Sequence, residues 1–231
     1  AELYEAAAKQ GFAQAQYNLG ALYHSGEGVP QDLTRAVELY EAAATQGFAQ
    51  AQCNLGTLYH AGEGVQQDLT RAAELYEAAA KQGFALAQFS LGALYRSGEG
   101  VPQDMTRAAE LYEAAAEQGH AQAQCILGAL YHSGEGVPKD LTRALELYEA
   151  AAEQGFAQAQ SWLAEHRAEF RGLVGRAQKA HRRLGHLSRQ QGRTAVIPPM
   201  AEASEVPSDA LPCAPPSEEA ASTQPLFQSQ R

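Results

Sequence analysis

The side chains best suited to chemistry recur at fixed spacing. A Gly-Glu-Gly loop at Gly26-Glu27-Gly28 returns at 62–64, 98–100 and 134–136, and each copy follows a basic or imidazole side chain: His24, His60, Arg96 and His132. A glycine-rich turn can cradle a phosphate, and a ladder of imidazoles can hold a metal. Cys53 with His60, and Cys125 with His132, add a thiol and a base seven residues apart.

Each of these readings fails on spacing. A phosphate loop needs a strand before it and Lys-Ser/Thr after it, and neither flanks these glycines. Zinc requires all its ligands within ~2.0–2.1 Å of one ion, whereas packed helices stand ~8–10 Å apart, so single histidines on successive repeats do not share a metal. Seven residues of helix rise ~10.5 Å, beyond hydrogen-bond reach for a nucleophile and its base. No nucleophile, base and orienting residue come together where the repeat breaks. The expectation is a protein without catalytic, cofactor or metal residues and without a small-molecule substrate.

The elements that carry these residues are set by a period. Leu-Tyr-Glu-Ala-Ala-Ala begins at Leu3, Leu39, Leu75, Leu111 and Leu147, and 30 of 36 positions agree between residues 12–47 and 48–83. A fixed period of this length marks an array whose units bury their apolar faces only against neighbours. Four complete repeats end at Gly155, with a half-unit before them and a first helix after them from Phe156.

Each unit reads as two helices. In helix A, Ala15, Leu19, Leu22 and Tyr23 form one apolar stripe. Gly20, Gly56, Gly92 and Gly128 cost that helix ~1 kcal/mol each in propensity, which predicts close approach of a neighbour there. Helix B opens at Asp32, a favoured N-cap, buries Leu33, Ala36, Val37, Tyr40, Ala43 and Ala44, and stops at Gly47 with Phe48 packing back. Phe12, Phe84 and Phe156 repeat that stop, and His120 departs from it. The loop glycines are then an elbow between helices A and B. No strand is expected before residue 164.

Repeated in every unit, AQAQxxLGxLYxxGEGVxxDxTRAxELYEAAAxQG resembles the Sel-one-like repeat, a relative of the tetratricopeptide repeat. The resemblance covers residues 1 to about 164 and implies an all-α, right-handed α-solenoid of 36-residue helix-turn-helix repeats, acting as a non-catalytic adaptor between proteins. Some members with paired cysteines have been linked to β-lactams; here each unit has at most one Cys and no Ser-x-x-Lys occurs, so that property does not carry over.

On this reading the stripe of helix A opposite the core lines the concave surface and takes a peptide or partner protein. It is also where the copies differ: Tyr17 becomes Cys53, Phe89, Cys125 and Ser161; Asn18 becomes Asn54, Ser90, Ile126 and Trp162; Gln14 becomes Leu86. The candidate contacts are Gln14, Tyr17, Asn18, His24, Cys53, His60, Phe89, Arg96 and His132.

Charge divides the chain further. Up to Ala164 there are 20 acidic against 8 basic side chains, from residue 165 to 193 there are 8 basic against 2 acidic, and the rest carries 1 against 5. An acidic body lacks the clustered Lys and Arg that release phosphate counterions, which argues against nucleic acid. No apolar run approaches the ~20 residues that span a bilayer. Residues 165–192 read as a basic amphipathic helix that caps the array. The alternative is a recruitment module docking this helix on an acidic membrane or protein surface, or a regulatory piece of a larger enzyme. Residues 193–231, with 7 of the 10 prolines, read as a disordered tail. Cys53 and Cys125 stand too far apart in a stacked array to pair, which favours a reducing compartment such as the cytoplasm. The chain opens in mid-pattern, so any targeting signal is unread.

Overall fold

The computed structural model describes residues 2–166, with Gly172 beyond them. The expectations for the basic segment past residue 166 and for the tail lie outside the described residues. Within them the chain is all α: α1 (Glu2–Lys9), α2 (Ala13–Ser25), α3 (Leu33–Ala44), α4 (Ala49–Ala61), α5 (Leu69–Lys81), α6 (Ala85–Ser97), α7 (Met105–Glu117), α8 (Ala121–Ser133) and α9 (Leu141–Glu153), followed by helical residues 157–166. Even-numbered helices are the A type and odd-numbered the B type. Each packs mainly on the helices before and after it in sequence, the nearest-neighbour pattern of a solenoid.

The boundaries are written in side chains. Asp32, Asp68, Asp104 and Asp140 stand extended ahead of the B helices and accept backbone N–H bonds at 2.9–3.0 Å from Arg35, Arg71, Arg107 and Arg143. Each B helix closes with paired bonds. In the first complete repeat the Gly47 N–H donates to the Ala44 carbonyl at 2.9 Å and the Phe48 N–H to the Ala43 carbonyl at 3.2 Å, the Schellman pattern.

Two glycine registers hold the units together. A Cβ on Gly56 would lie 2.9 Å from the Tyr76 ring, so the glycine lets helix B's tyrosine lie flat on helix A. In the elbow, Gly64 has φ +70°, and a Cβ there would lie 2.7 Å from the Leu33 carbonyl of the preceding B helix. The elbow therefore abuts the previous repeat as well as turning the chain.

The core runs along the A–B seam as successive buried clusters, joined by partly buried side chains such as Tyr23, Tyr59 and Tyr95. Tyr40, Tyr112, Tyr148, Leu55, Leu58, Leu127 and Leu130 are all but inaccessible. At the amino-terminal end, Leu3 is 88% exposed, whereas its repeat equivalents Leu39, Leu75, Leu111 and Leu147 are buried.

A polar ladder runs through the same seam. Gln52 donates through Nε2 to the Ala44 carbonyl at 3.2 Å and accepts through Oε1 from Gln82 Nε2 at 2.8 Å. Gln46–Gln16, Gln118–Gln88 and Gln154–Gln124 repeat the side-chain bond at 2.7–2.8 Å. Gln52, Gln88 and Gln124 are buried, and their amides add a second bond to the Ala44, Ala80 and Ala116 carbonyls, which already accept the N–H of the closing glycines.

Candidate partner-binding face

The outward stripe of each A helix is carried on a rigid two-helix unit, so its side chains are placed by the seam beneath them. On α2, Gln14 is exposed and donates to Asn18 Oδ1 at 3.1 Å, while Asn18 and His24 are half-buried. Tyr17 is half-buried, its ring centroid 5.8 Å from that of Tyr40 and 5.2 Å from that of Phe48. It forms part of the joint between repeats and keeps one edge on the surface.

Cys53 departs from the expectation. It occupies Tyr17's register on α4 but is fully buried, because its small side chain sinks into the joint that the tyrosine overfills. Burial pushes its thiol up to about 12, and it offers no surface to a partner. Cys125 on α8 is equally buried. Phe89 on α6 stays half-exposed, stacked 4.7 Å from the His120 ring and 5.8 Å from Tyr112.

His120 is more than a substitute for phenylalanine. Its Nδ1 accepts the Ala123 N–H at 3.1 Å, a cap that Phe48 and Phe84 cannot make. Burial holds its pKa below the usual imidazole value.

The last turn of each A helix carries the basic ladder. His60 Nε2 sits 4.0 Å from Glu99 in the next repeat's elbow. His132 is half-buried, with the Trp162 ring edge-on at 5.5 Å, and its pKa is lowered by burial and then by the charges of Lys139 and His166. Trp162 is sandwiched between Tyr148 at 3.9 Å and His166 at 4.5 Å. Among the described residues no group of three or more His, Cys, Asp or Glu side chains comes close enough to hold a metal ion, and no helix is long and apolar enough to cross a membrane.

The B-helix surface is chemically closed by comparison. Arg35, Arg71, Arg107 and Arg143 each pair with the glutamate three residues on, Glu38, Glu74, Glu110 and Glu146.

Sequence reasoning missed what lies beneath the A-helix stripe. The Tyr40 hydroxyl meets Asn54 Nδ2 at 3.3 Å, and the Tyr76 hydroxyl meets Thr57 Oγ1 at 3.2 Å. Ala93 and Ala129 replace Thr57, and Ile126 and Trp162 replace Asn54, so the buried hydroxyls of Tyr112 and Tyr148 have no hydrogen-bond partner among the described residues. The variation at positions 18 and 21 of the repeat was the available signal.

The Sel1 repeat family model matches residues 1–12, 13–48, 49–84, 85–120 and 121–156, each complete match running from the start of an A helix to the turn after its B helix. The chain belongs to the Sel1 repeat family. Sel1 repeats are protein–protein interaction modules. Among solved structures, the chain is similar to c5321, a protective antigen present in uropathogenic Escherichia coli strains and displaying an SLR fold, with 40% identity, TM-score 0.69, and 71% of this chain aligned to 35% of that one. It is also similar to a Sel1 repeat protein from Oxalobacter formigenes, with 37% identity, TM-score 0.67, and 71% of this chain aligned to 66% of that one. The chain thus spans about a third of the first Sel1 relative and just under two thirds of the second. Comparison with curated proteins finds no match.

Proposed function

We propose that this Sel1 array is a non-catalytic adaptor that holds a peptide or partner protein along the concave face lined by its A helices. The contacts come from Gln14, Tyr17, Asn18, His24, His60, Phe89, Arg96 and His132, with Cys53 removed by its burial. The observation that carries this reading is an asymmetry between faces. The B-helix arginines are satisfied within their own helices, whereas the A-helix stripe concentrates the repeat-to-repeat differences in half-exposed aromatic, amide and basic side chains. Aromatic and arginine side chains are the groups that most often anchor interfaces.

The test is affinity selection with the full chain, followed by alanine substitution at Gln14, Asn18, His24, His60 and Arg96. The expected result is loss of captured partner with helicity by circular dichroism unchanged. Capture unaffected by all five changes together would defeat the reading.

A further inference from the structure

Arg96 is the exception in the charge pattern of the array. The four B-helix arginines are paired within their own helices. Arg96, standing where the other repeats place histidine, makes no ion pair among the described residues. Glu135, the counterpart of the Glu99 that comes within 4.0 Å of His60, does not reach it.

Leu86, Phe89, Ala93 and Arg96 fall at i, i+3, i+7 and i+10 on α6, and all four are half-exposed. In helical projection they make one stripe, apolar and aromatic at one end and cationic at the other, with a small residue between. The same stripe on α4 is Gln50, Cys53, Thr57 and His60, and on α8 it is Gln122, Cys125, Ala129 and His132. Among the described A helices only α6 combines an accessible aromatic ring with a guanidinium. The floor beside Ala93 is the Tyr112 ring, whose fully buried hydroxyl has no partner.

Resting on the adaptor reading above, we infer that the α6 stripe is a recognition subsite for an extended peptide segment whose internal Asp or Glu side chain pairs with Arg96 while an apolar side chain packs on Phe89 and Leu86. Spacing fixes the motif. Phe89 and Arg96 are seven residues apart, a rise of ~10.5 Å, which a polyproline II segment at ~3.1 Å per residue covers in about three residues, one full turn, so that both side chains face the helix. The segment therefore reads apolar-x-x-acidic. The carboxylate supplies the planar acceptor that a guanidinium binds in bidentate fashion, and its charge complements Arg96, the one A-helix arginine among the described residues of an otherwise acidic array.

The experiment uses degenerate octapeptide pools, acetylated and amidated so that terminal charges cannot substitute, selected on the full chain. Enrichment of Asp or Glu at one position, with an apolar residue three positions away, is expected. Arg96→Glu replaces the acidic preference with Lys or Arg and weakens the selected peptide about 10- to 100-fold. Leu86→Ala relaxes only the apolar position. Arg96 and Leu86 are half-exposed, and circular dichroism confirms that both variants fold. Enriched peptides without an acid, an acidic preference that survives Arg96→Glu, or enrichment confined to a parallel free-acid pool would each overturn the subsite while leaving the adaptor reading standing. Failure of every pool to enrich overturns both.

Discussion

The second and third complete repeats share a fold and differ in their floor. In the second, the Tyr76 hydroxyl is bonded to Thr57 at 3.2 Å. In the third, Tyr112 lies in the same register over Ala93 and Ile126, and its hydroxyl is buried without a partner. Leaving such a group unsatisfied costs about 1–3 kcal/mol, so two units with nearly the same sequence do not contribute equally to the array. The costly floor lies under the stripe that carries Phe89 and Arg96, where composition departs from what packing alone favours.

That difference can be broken most forcefully through the glycines. A Cβ on Gly56 would stand 2.9 Å from a Tyr76 ring held by its hydroxyl bond, whereas one on Gly92 would stand 3.1 Å from a Tyr112 ring with no such tether. Overpacking costs about 1–3 kcal/mol and alanine returns ~1 kcal/mol of helix propensity. Gly56→Ala is expected to lower the urea midpoint clearly, and Gly92→Ala to shift it less. Equal shifts would show that the tether is immaterial.

Removing the hydroxyls sharpens the contrast at smaller amplitude. Tyr76→Phe loses a hydrogen bond worth about 1 kcal/mol, while Tyr112→Phe removes an unsatisfied group and should leave stability unchanged or raise it. Urea melts of the two variants side by side decide this. Conversely, Ala93→Thr recreates the Thr57 arrangement beneath Tyr112 and should stabilise by up to about 1 kcal/mol, a gain that disappears in the Ala93→Thr, Tyr112→Phe double variant.

The smallest expected effect is a pH dependence centred on the third repeat's exit. His120 accepts the Ala123 N–H only while neutral, and burial lowers its pKa in the folded protein. Its contribution is complete above the unfolded imidazole value of about 6.5 and is lost as pH falls through that value toward the lower folded one. The thermal midpoint should drop on acidification through this window, and His120→Phe should flatten part of the drop. His132, lowered in the same direction, accounts for a further share.

Local structure was legible because it is encoded locally. Asp32, Gly47 and the apolar spacing of Ala36, Tyr40 and Ala43 act within one or two turns, and the helix ends fall where those residues place them. The AQAQ motif was legible as a repeat but not as a ladder, since Gln52 meets Gln82 thirty residues away. The candidate face was half legible: register placed Tyr17, Cys53 and Phe89 on one line, and only their neighbours determine that the first and third reach the surface while the second does not.

By itself the sequence determined the helices, their caps, the period and the family, because each depends on residue types acting over short spans and repeated without interruption. Tertiary structure alone decided that Cys53 is core and that, among the described residues, Arg96 meets no carboxylate and the Tyr112 and Tyr148 hydroxyls meet no hydrogen-bond partner. Those properties depend on how much volume and which polar atoms an adjoining repeat presents, and a period specifies which positions correspond without specifying what fills the space between them.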